Sequence, residues 1–230
     1  MLNQKIQKFV KQTFKNIAPE GTSLLATIIY NYIIKKSDFY TKCLKMIAKS
    51  SKIKQINGTI LDVGSGPAYL PIYIVKSNPN CKIICVDASL SMVLIAKQNV
   101  NKAKLTEFIK LKKGKVYNLN FPNKFFDFVI STSSLHYWRN PVKAFNEIYR
   151  VLKDGHEAWI FDVYKPIPPQ QFFPVYDKYR RLVVSIFNLY NSHDSFYDTQ
   201  KINKIIQQSH FKQCYIENFK IFYKIVLQKA

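Results

Sequence analysis

The stretch Thr59–Val75, TILDVGSGPAYLPIYIV, decides the fold. An apolar run ends in an acid, Asp62. Two glycines follow, Gly64 and Gly66, and after Pro67 a second apolar run begins. That order reads as strand, tight turn, helix. The glycines let backbone approach a ligand with no Cβ in the way. The helix beyond them turns its first N–H groups toward the same place, which favours a carboxylate or phosphate.

Working outward, strands are expected at Thr59–Val63, Lys82–Val86, Glu107–Lys112, Phe126–Ser131 and Glu157–Val163. Helices fit between them at Ala68–Ser77, Ser89–Asn99 and Pro141–Leu152. Short apolar strands alternating with helices imply an α/β fold with a parallel sheet covered on both faces. Two further strands, Gln213–Phe219 and Ile221–Gln228, have so short a connection that they pair antiparallel. Before Thr59 the pattern is helical. In KIQKFVKQTFKNIA, Ile6, Phe9, Val10, Thr13 and Ile17 share one face, and two more helices follow the break at Pro19–Gly21. After Tyr164 the rhythm is lost in KPIPPQQFFP, a loop leading into one or two helices. Ligands of open α/β sheets bind outside the carboxyl ends of the strands, so the loop Asp62–Ala68 lies at the expected site.

The 230 residues fit one domain, and 47% hydrophobic and 15% aromatic content excludes disorder. The longest apolar run, Leu24–Ile34, is broken by Asn31 and falls short of the roughly 20 residues that span a bilayer. No signal-peptide pattern opens the chain, and Cys43, Cys81, Cys85 and Cys214 form no zinc pattern, so a cytoplasmic protein with reduced thiols is expected. The net charge of +21 is the unusual number. It leaves an anionic partner open, whether nucleic acid, membrane surface or acidic metabolite, and a lysine-rich coding bias produces the same signal.

Two nucleotide cofactors compete for the glycine turn. A dinucleotide wants a small residue where Tyr69 stands, which argues against NAD. Asp62 suits a ligand carrying an ammonium group. Asp87, in CVDAS, is placed to accept hydrogen bonds from ribose hydroxyls and fits either cofactor.

ILDVGSGPAYL, VDASLSMVLIAK, FPNKFFDFVIS, SSLHYW and EIYRVLKDG stand in an order and spacing that resembles the class I S-adenosylmethionine-dependent methyltransferases. The chain looks most like the small-molecule group related to ubiquinone and menaquinone biosynthesis enzymes, over roughly Gly58–Val163. The resemblance implies a Rossmann-like, doubly wound, mostly parallel seven-stranded sheet with the last strand antiparallel. It implies N-terminal helices (1–56) folded over the site as a lid, a methyltransferase domain over 57–230, and a helical substrate-side insertion at 165–210. It implies S-adenosylmethionine as cofactor: Asp62 near the methionine ammonium, Gly64, Ser65 and Gly66 under the methionine part, and Asp87 on the ribose. Ala88, Ser89 and Met92 border the adenine, Val116 meets its edge through backbone, and Ser131 and Thr132 line the far side. The chain departs from the family at Ala68, where glycine is usual, and at Lys115, where an acid usually accepts from the adenine amino group. Gly155-His156 replaces the usual double glycine and reads as a turn variant before the fifth strand.

Methyl transfer from a sulfonium is an in-line displacement that asks the protein to align an acceptor and exclude water. His136 and Tyr137 follow the fourth strand at the mouth, and His136 is the candidate to orient or deprotonate an acceptor hydroxyl. Tyr40 from the lid helices and Asp162 at the end of the fifth strand are the substrate-side candidates. The run after the fourth strand lacks the Asn/Asp-Pro-Pro-aromatic pattern of nucleobase amine methylation. No cysteine lies between Ser131 and Trp138 for attack on cytosine. A small-molecule acceptor therefore leads, with a basic N-terminal helix resting on anionic lipid as a candidate contact. An RNA methyltransferase or RNA-binding relative, and a catalytically silent scaffold marked by Lys115, are the alternatives.

Overall fold

The computed structural model describes residues 27–28, 31–32, 34–35, 37–163, 197–220 and 222–230. The amphipathic helix expected near the N-terminus, the proline-rich loop after Tyr164 and the helices expected directly after it lie outside the described residues.

Seven strands form one sheet: β1 (Thr59–Val63), β2 (Lys82–Asp87), β3 (Ile109–Lys113), β4 (Phe126–Thr132), β5 (Leu152–Val163), β6 (Gln213–Phe219) and β7 (Phe222–Gln228). Their order is β3-β2-β1-β4-β5-β7-β6. The first five run parallel, and β7 enters antiparallel between β5 and β6. Strand order reverses between β1 and β4, so a crevice opens beyond their carboxyl ends.

Alternation along each strand divides the core. Ile60, Ile83, Cys85, Phe128 and Ile130 face one helical layer, made of α1 (Asp38–Ala48), α2 (Ser51–Lys54), α3 (Tyr69–Ser77) and α4 (Leu90–Lys102). Leu61, Val63, Val129 and Ile160 face the other, made of α5 (Pro141–Val151) and α6 (Thr199–Gln207). The central strands β1 and β4 thus bury both faces, which is why they read as continuous apolar runs, while edge strands β3 and β6 stay largely exposed. Helix starts are set by side-chain caps. Ser37, Ser89, Asn140 and Asp198 accept from the N–H groups of Tyr40, Met92, Lys143 and Lys201, and Pro141 occupies the first turn of α5.

Two boundaries differ from the sequence expectation for a physical reason. The β5 strand begins at Leu152, not Glu157, because Gly155-His156 is no turn ahead of the strand but a bulge within it. The partner of Phe126 is Leu152 while that of Phe128 is Glu157. Gly155, at φ 73°, donates to the Lys229 carbonyl, and Lys229 N–H returns to His156. Helix α3 begins at Tyr69 because Ala68 is left-handed, at φ 61°. Of the cysteines, Cys43, Cys81 and Cys85 are buried, as expected, and Cys214 is exposed on edge strand β6.

One cation ties the β3–β4 loop to α5. Arg150 forks onto Glu147 through Nε and Nη2, both at 2.9 Å. It also donates to the carbonyls of Leu119 (2.6 Å) and Phe121 (2.8 Å) and to Asn123 Oδ1 (2.9 Å). Glu147 in turn accepts from Leu119 N–H at 2.8 Å. A lysine cannot reproduce this planar fork. Arg150→Lys lowers unfolding stability by about 1–2 kcal/mol, read as a lower urea midpoint at unchanged slope.

Candidate active site

The turn after β1 is fixed by backbone. Gly64 N–H (2.8 Å) and Ser65 N–H (3.3 Å) both donate to the Val86 carbonyl, so the turn leans on the end of β2. Gly64 sits at φ 70°, and a Cβ there would come within 2.1 Å of Ser134 Oγ. Gly66 is at φ 51°, yet a Cβ on it would meet nothing within 4 Å, so space is open above it. Ala68 holds the same left-handed region, and Asn99 Nδ2 donates to the Pro67 carbonyl at 2.9 Å, closing the turn onto α4.

Two carboxyls meet at this turn. Asp87 Oδ2 accepts from Gly66 N–H and Oδ1 from Ser89 N–H, both at 2.8 Å. Each oxygen keeps a second lone pair. Burial raises its pKa, and these two N–H groups draw it back. Asp62 is different. It is 1% exposed, and neither carboxyl oxygen has a hydrogen-bond partner. Burial pushes its pKa up to about 8, and the neighbouring Asp87 carboxylate adds to the rise. A buried acid with no partner is costly unless a cationic ligand completes it.

The other residues expected to border a cofactor are distributed as follows. Ala88 is half-buried and Ser89 is buried, capping α4, with Met92 in the turn after it. Val116 is buried in a loop where Lys115 and Asn118 form an isolated bridge. Thr132 is half-buried at the end of β4. The Ser131 hydroxyl, expected to line the site, is fully buried and donates to the Val63 carbonyl at 2.8 Å. It pins β4 to β1 and leaves no hydroxyl for a ligand.

Beyond β4 the chain makes a strained turn, with Ser133 at φ 52°, into a 3-10 helix at Leu135–Tyr137. Asp162, expected as a substrate-side candidate, packs against this turn. It is 0% exposed and lies behind His136. It accepts from His136 N–H (2.8 Å) and Val163 N–H (2.8 Å), and its oxygens lie 2.8 and 3.0 Å from His136 Nδ1. A carboxylate only accepts, so His136 Nδ1 is the donor in this pair. The Tyr137 ring lies tilted at 51° against His136 with centroids 4.0 Å apart, and Tyr137 is 46% exposed. Tyr40 is 5% exposed. Its hydroxyl pairs with Ser133 Oγ at 3.2 Å and its ring edge rests on Phe222, so it clasps the turn from the helical layer. Sequence reasoning missed Ser134, whose Oγ accepts from Trp138 Nε1 at 2.9 Å beside Gly64. The Ser134–Trp138 spacing in SSLHYW was the available signal.

Residues 61–160 match the family model described as "Methyltransferase domain". The chain is 28% identical over 148 residues to the 2-methyl-6-phytyl-1,4-hydroquinone methyltransferase of Arabidopsis thaliana chloroplasts, covering 64% of this chain and 43% of that protein. It is 26% identical over 176 residues to the demethylmenaquinone methyltransferase of Lactiplantibacillus plantarum, covering 71% and 74%. The alignments span 41% to 54% of the length of the first curated relatives. Among solved structures, a SAM-dependent methyltransferase from Aquifex aeolicus superposes with a TM-score of 0.62 at 19% identity, covering 84% of this chain and 90% of that one. The Haemonchus contortus phosphoethanolamine N-methyltransferase 2, in complex with S-adenosyl-L-methionine, gives 0.67 at 15% identity, covering 90% and 57%. The shared fold is the Rossmann-like one, with its antiparallel strand β7.

The Asp62 carboxyl makes the empty protein sensitive to pH in an inverted sense. Its proton is held in the folded state up to about pH 8 and released in the unfolded state above about pH 4. Stability is therefore full below pH 4, falls as pH climbs through that window and levels off above it. Asp62→Asn removes this fall. Urea unfolding of the cofactor-free protein at pH 5 and pH 8 will show a smaller difference for the variant, and a higher midpoint at pH 8.

Proposed function

We propose that this chain, a class I S-adenosylmethionine-dependent methyltransferase by its fold and by the family model over residues 61–160, moves a methyl group to a small apolar hydroquinone-type acceptor. The observation that carries the reading is the partnerless, buried Asp62 carboxyl beneath a glycine turn with open space above Gly66. The group that fits has an ammonium for Asp62 and a diol for the remaining lone pairs of Asp87. When bound, S-adenosylmethionine supplies an electrophilic methyl on a sulfonium. Asp62 and the N–H groups around Ser65 and Gly66 hold its amino-acid end. Asp87 holds the ribose, and Ala88, Ser89, Met92 and the Val116 backbone border the base, with Thr132 on the far side. Lys115 contributes no acceptor to the base, so affinity rests on the ammonium and the ribose.

On the acceptor side, His136 Nε2 takes the proton of an acceptor hydroxyl as the ring becomes nucleophilic. Asp162 holds the imidazole in the tautomer that leaves Nε2 basic. Tyr137 presents an exposed aromatic wall beside it. The named activities of the hydroquinone and demethylmenaquinone methyltransferases support an acceptor of this class. Among the described residues no helix is long and apolar enough to cross a membrane. Nucleic acid as substrate has less support, since the run after β4 carries none of the base-methylation patterns.

Calorimetry with S-adenosylhomocysteine tests the cofactor side: micromolar binding is expected. Asp87→Ala should weaken it by about tenfold to a hundredfold, the loss of charge-assisted hydrogen bonds. Binding at pH 7 should release about one proton as Asp62 ionises against the ammonium, visible as heats that differ between phosphate and Tris buffers. No binding would remove the reading.

The acceptor side is tested with a short-chain naphthohydroquinone. His136→Gln lowers kcat by about a hundredfold or more while leaving the S-adenosylhomocysteine Kd in place. Asp162→Asn shifts the pH–rate profile. It also changes the imidazole tautomer seen in nitrogen-15 spectra, which a merely structural role would leave unmoved.

A further inference from the structure

The helical layer formed by the described residues 27–28, 31–32 and 34–35 together with α1–α4 has an outer surface that the site chemistry does not use. Three helices in it repeat one pattern. In the helical segment before Ser37, Thr27 and Ile34 are buried while Ile28, Tyr32 and Lys35 are exposed on one stripe. On α1 the exposed stripe is Lys42, Lys45, Met46 and Lys49, beneath Cys43, Leu44 and Ile47 in the core. On α4 it is Leu90, Leu94 and Lys97. Five of the eight large hydrophobics exposed among the described residues lie on these stripes: Ile28, Tyr32, Met46, Leu90 and Leu94.

The stripes are joined across α3. Tyr69 OH donates to Asn31 Oδ1 at 2.9 Å, Lys45 Nζ stands 5.5 Å over the Tyr73 ring, and Asn99 ties α4 to the turn at Pro67. Leu90 and the Asn31–Tyr32 turn therefore flank the carboxyl-edge crevice that holds the site.

Charge is distributed unevenly in the same sense. From residue 27 to 115 the described acids are Asp38, Asp62, Asp87 and Glu107, and Asp62 and Asp87 belong to the site. Lys35, Lys42, Lys49 and Lys97 enter no ion pair among the described residues. Elsewhere the acids are engaged: Asp127 with Lys153, Glu147 with Arg150, Asp154 with Lys124 and Lys229, and Glu217 with Lys224. The excess positive charge thus gathers on the helical layer and along edge strand β3.

We propose that this layer is a docking surface for an anionic lipid bilayer, with the site rim at Tyr32 and Leu90 set against the membrane so that a lipid-borne acceptor enters without crossing water. The inference rests on the acceptor being an apolar hydroquinone. Lysine and aliphatic side chains in alternation suit lipid headgroups and the acyl boundary together. They do not suit nucleic acid. The described arginines, Arg139 and Arg150, lie outside this layer, and Leu and Ile offer a phosphate chain nothing.

Flotation of the full chain decides it, using phosphatidylcholine vesicles and vesicles containing about a third phosphatidylglycerol, at salt of about 0.1 M and about 0.5 M. Expected is at least about tenfold greater partition onto the anionic vesicles, weakened by salt. Lys42→Glu/Lys49→Glu should abolish the anionic preference. Leu90→Ser/Leu94→Ser should reduce the binding that survives high salt. Thermal melts check that both variants fold, and single charge reversals replace the doubles should either fail. Equal partition onto neutral and anionic vesicles, no partition, or variants that bind like the parent would overturn the proposal. So would displacement from vesicles by micromolar single-stranded RNA at about 0.1 M salt, which would mark a nucleic-acid face. S-adenosylhomocysteine calorimetry runs in parallel. Cofactor binding without flotation sinks the docking surface alone, and flotation without cofactor binding sinks the methyl-transfer reading while the surface stands.

Discussion

A single carbonyl, that of Val86, organises the carboxyl edge of the sheet. By accepting from Gly64 and Ser65 N–H it forces the chain leaving β1 to fold back over the end of β2. That fold-back brings Asp62 and Asp87 together and leaves Gly66 facing open space. The Ser131 hydroxyl does the same on the other side, joining β4 to the Val63 carbonyl. With β1 clamped between its two neighbours, the turn's geometry is set by these backbone bonds together with the Ser131, Asn99 and Asp87 side chains that hold its flanks. This explains why a site with only two glycines and one left-handed alanine keeps its shape. The cost is concentrated in Asp62, a buried acid whose carboxyl oxygens have no hydrogen-bond partner.

The sheet was legible because its strands carry the signal that a doubly wound fold must carry: apolar on both faces, short, and separated by helix-period segments. β1 and β7 were placed within a residue of their observed limits for that reason, and the exposed edge strand β6 by its short connection to β7. Gly155 misled because a glycine with positive φ serves a turn and a bulge equally, and only the pairing of its N–H with Lys229 distinguishes them. Among candidate site residues, the placement of Asp62 and Asp87 in β1 and at the end of β2 was legible from sequence. That of the Ser131 hydroxyl was not, because a serine ending a strand can face a ligand or a neighbouring carbonyl with the same local sequence. Asp162 illustrates the same limit. Its place at the end of β5 was visible, but its role behind His136 depends on a contact between residues 26 apart.

Charge divides the molecule along a line that composition could not reveal. The net value of +21 invites a single explanation, yet it has at least two structural components. Lys110, Lys112 and Lys113 line edge strand β3, where unpaired N–H and C=O groups would otherwise recruit another strand, and lysine there blocks pairing. The stripes on the helical layer serve no such need. Meanwhile the acids of the β5 region are consumed in local pairs. Most of these are half-exposed, so each contributes little to stability and mainly keeps negative charge off the surface.

The position of β7 has a consequence for how the chain reaches this state. It is an interior strand, buried along nearly its whole length, but it follows the edge strand β6 in the chain. During synthesis the first five strands can assemble while the edge of β5, with Ala158, Ile160 and Phe161, stays unsatisfied until residue 228 has left the ribosome. The hairpin of β6 and β7 must then dock as a unit, through pairings 59 to 71 residues apart in sequence. That interval is the chain's period of greatest exposure to aggregation and to chaperone capture. Its length is set by translation rate and not by the stability of the finished fold.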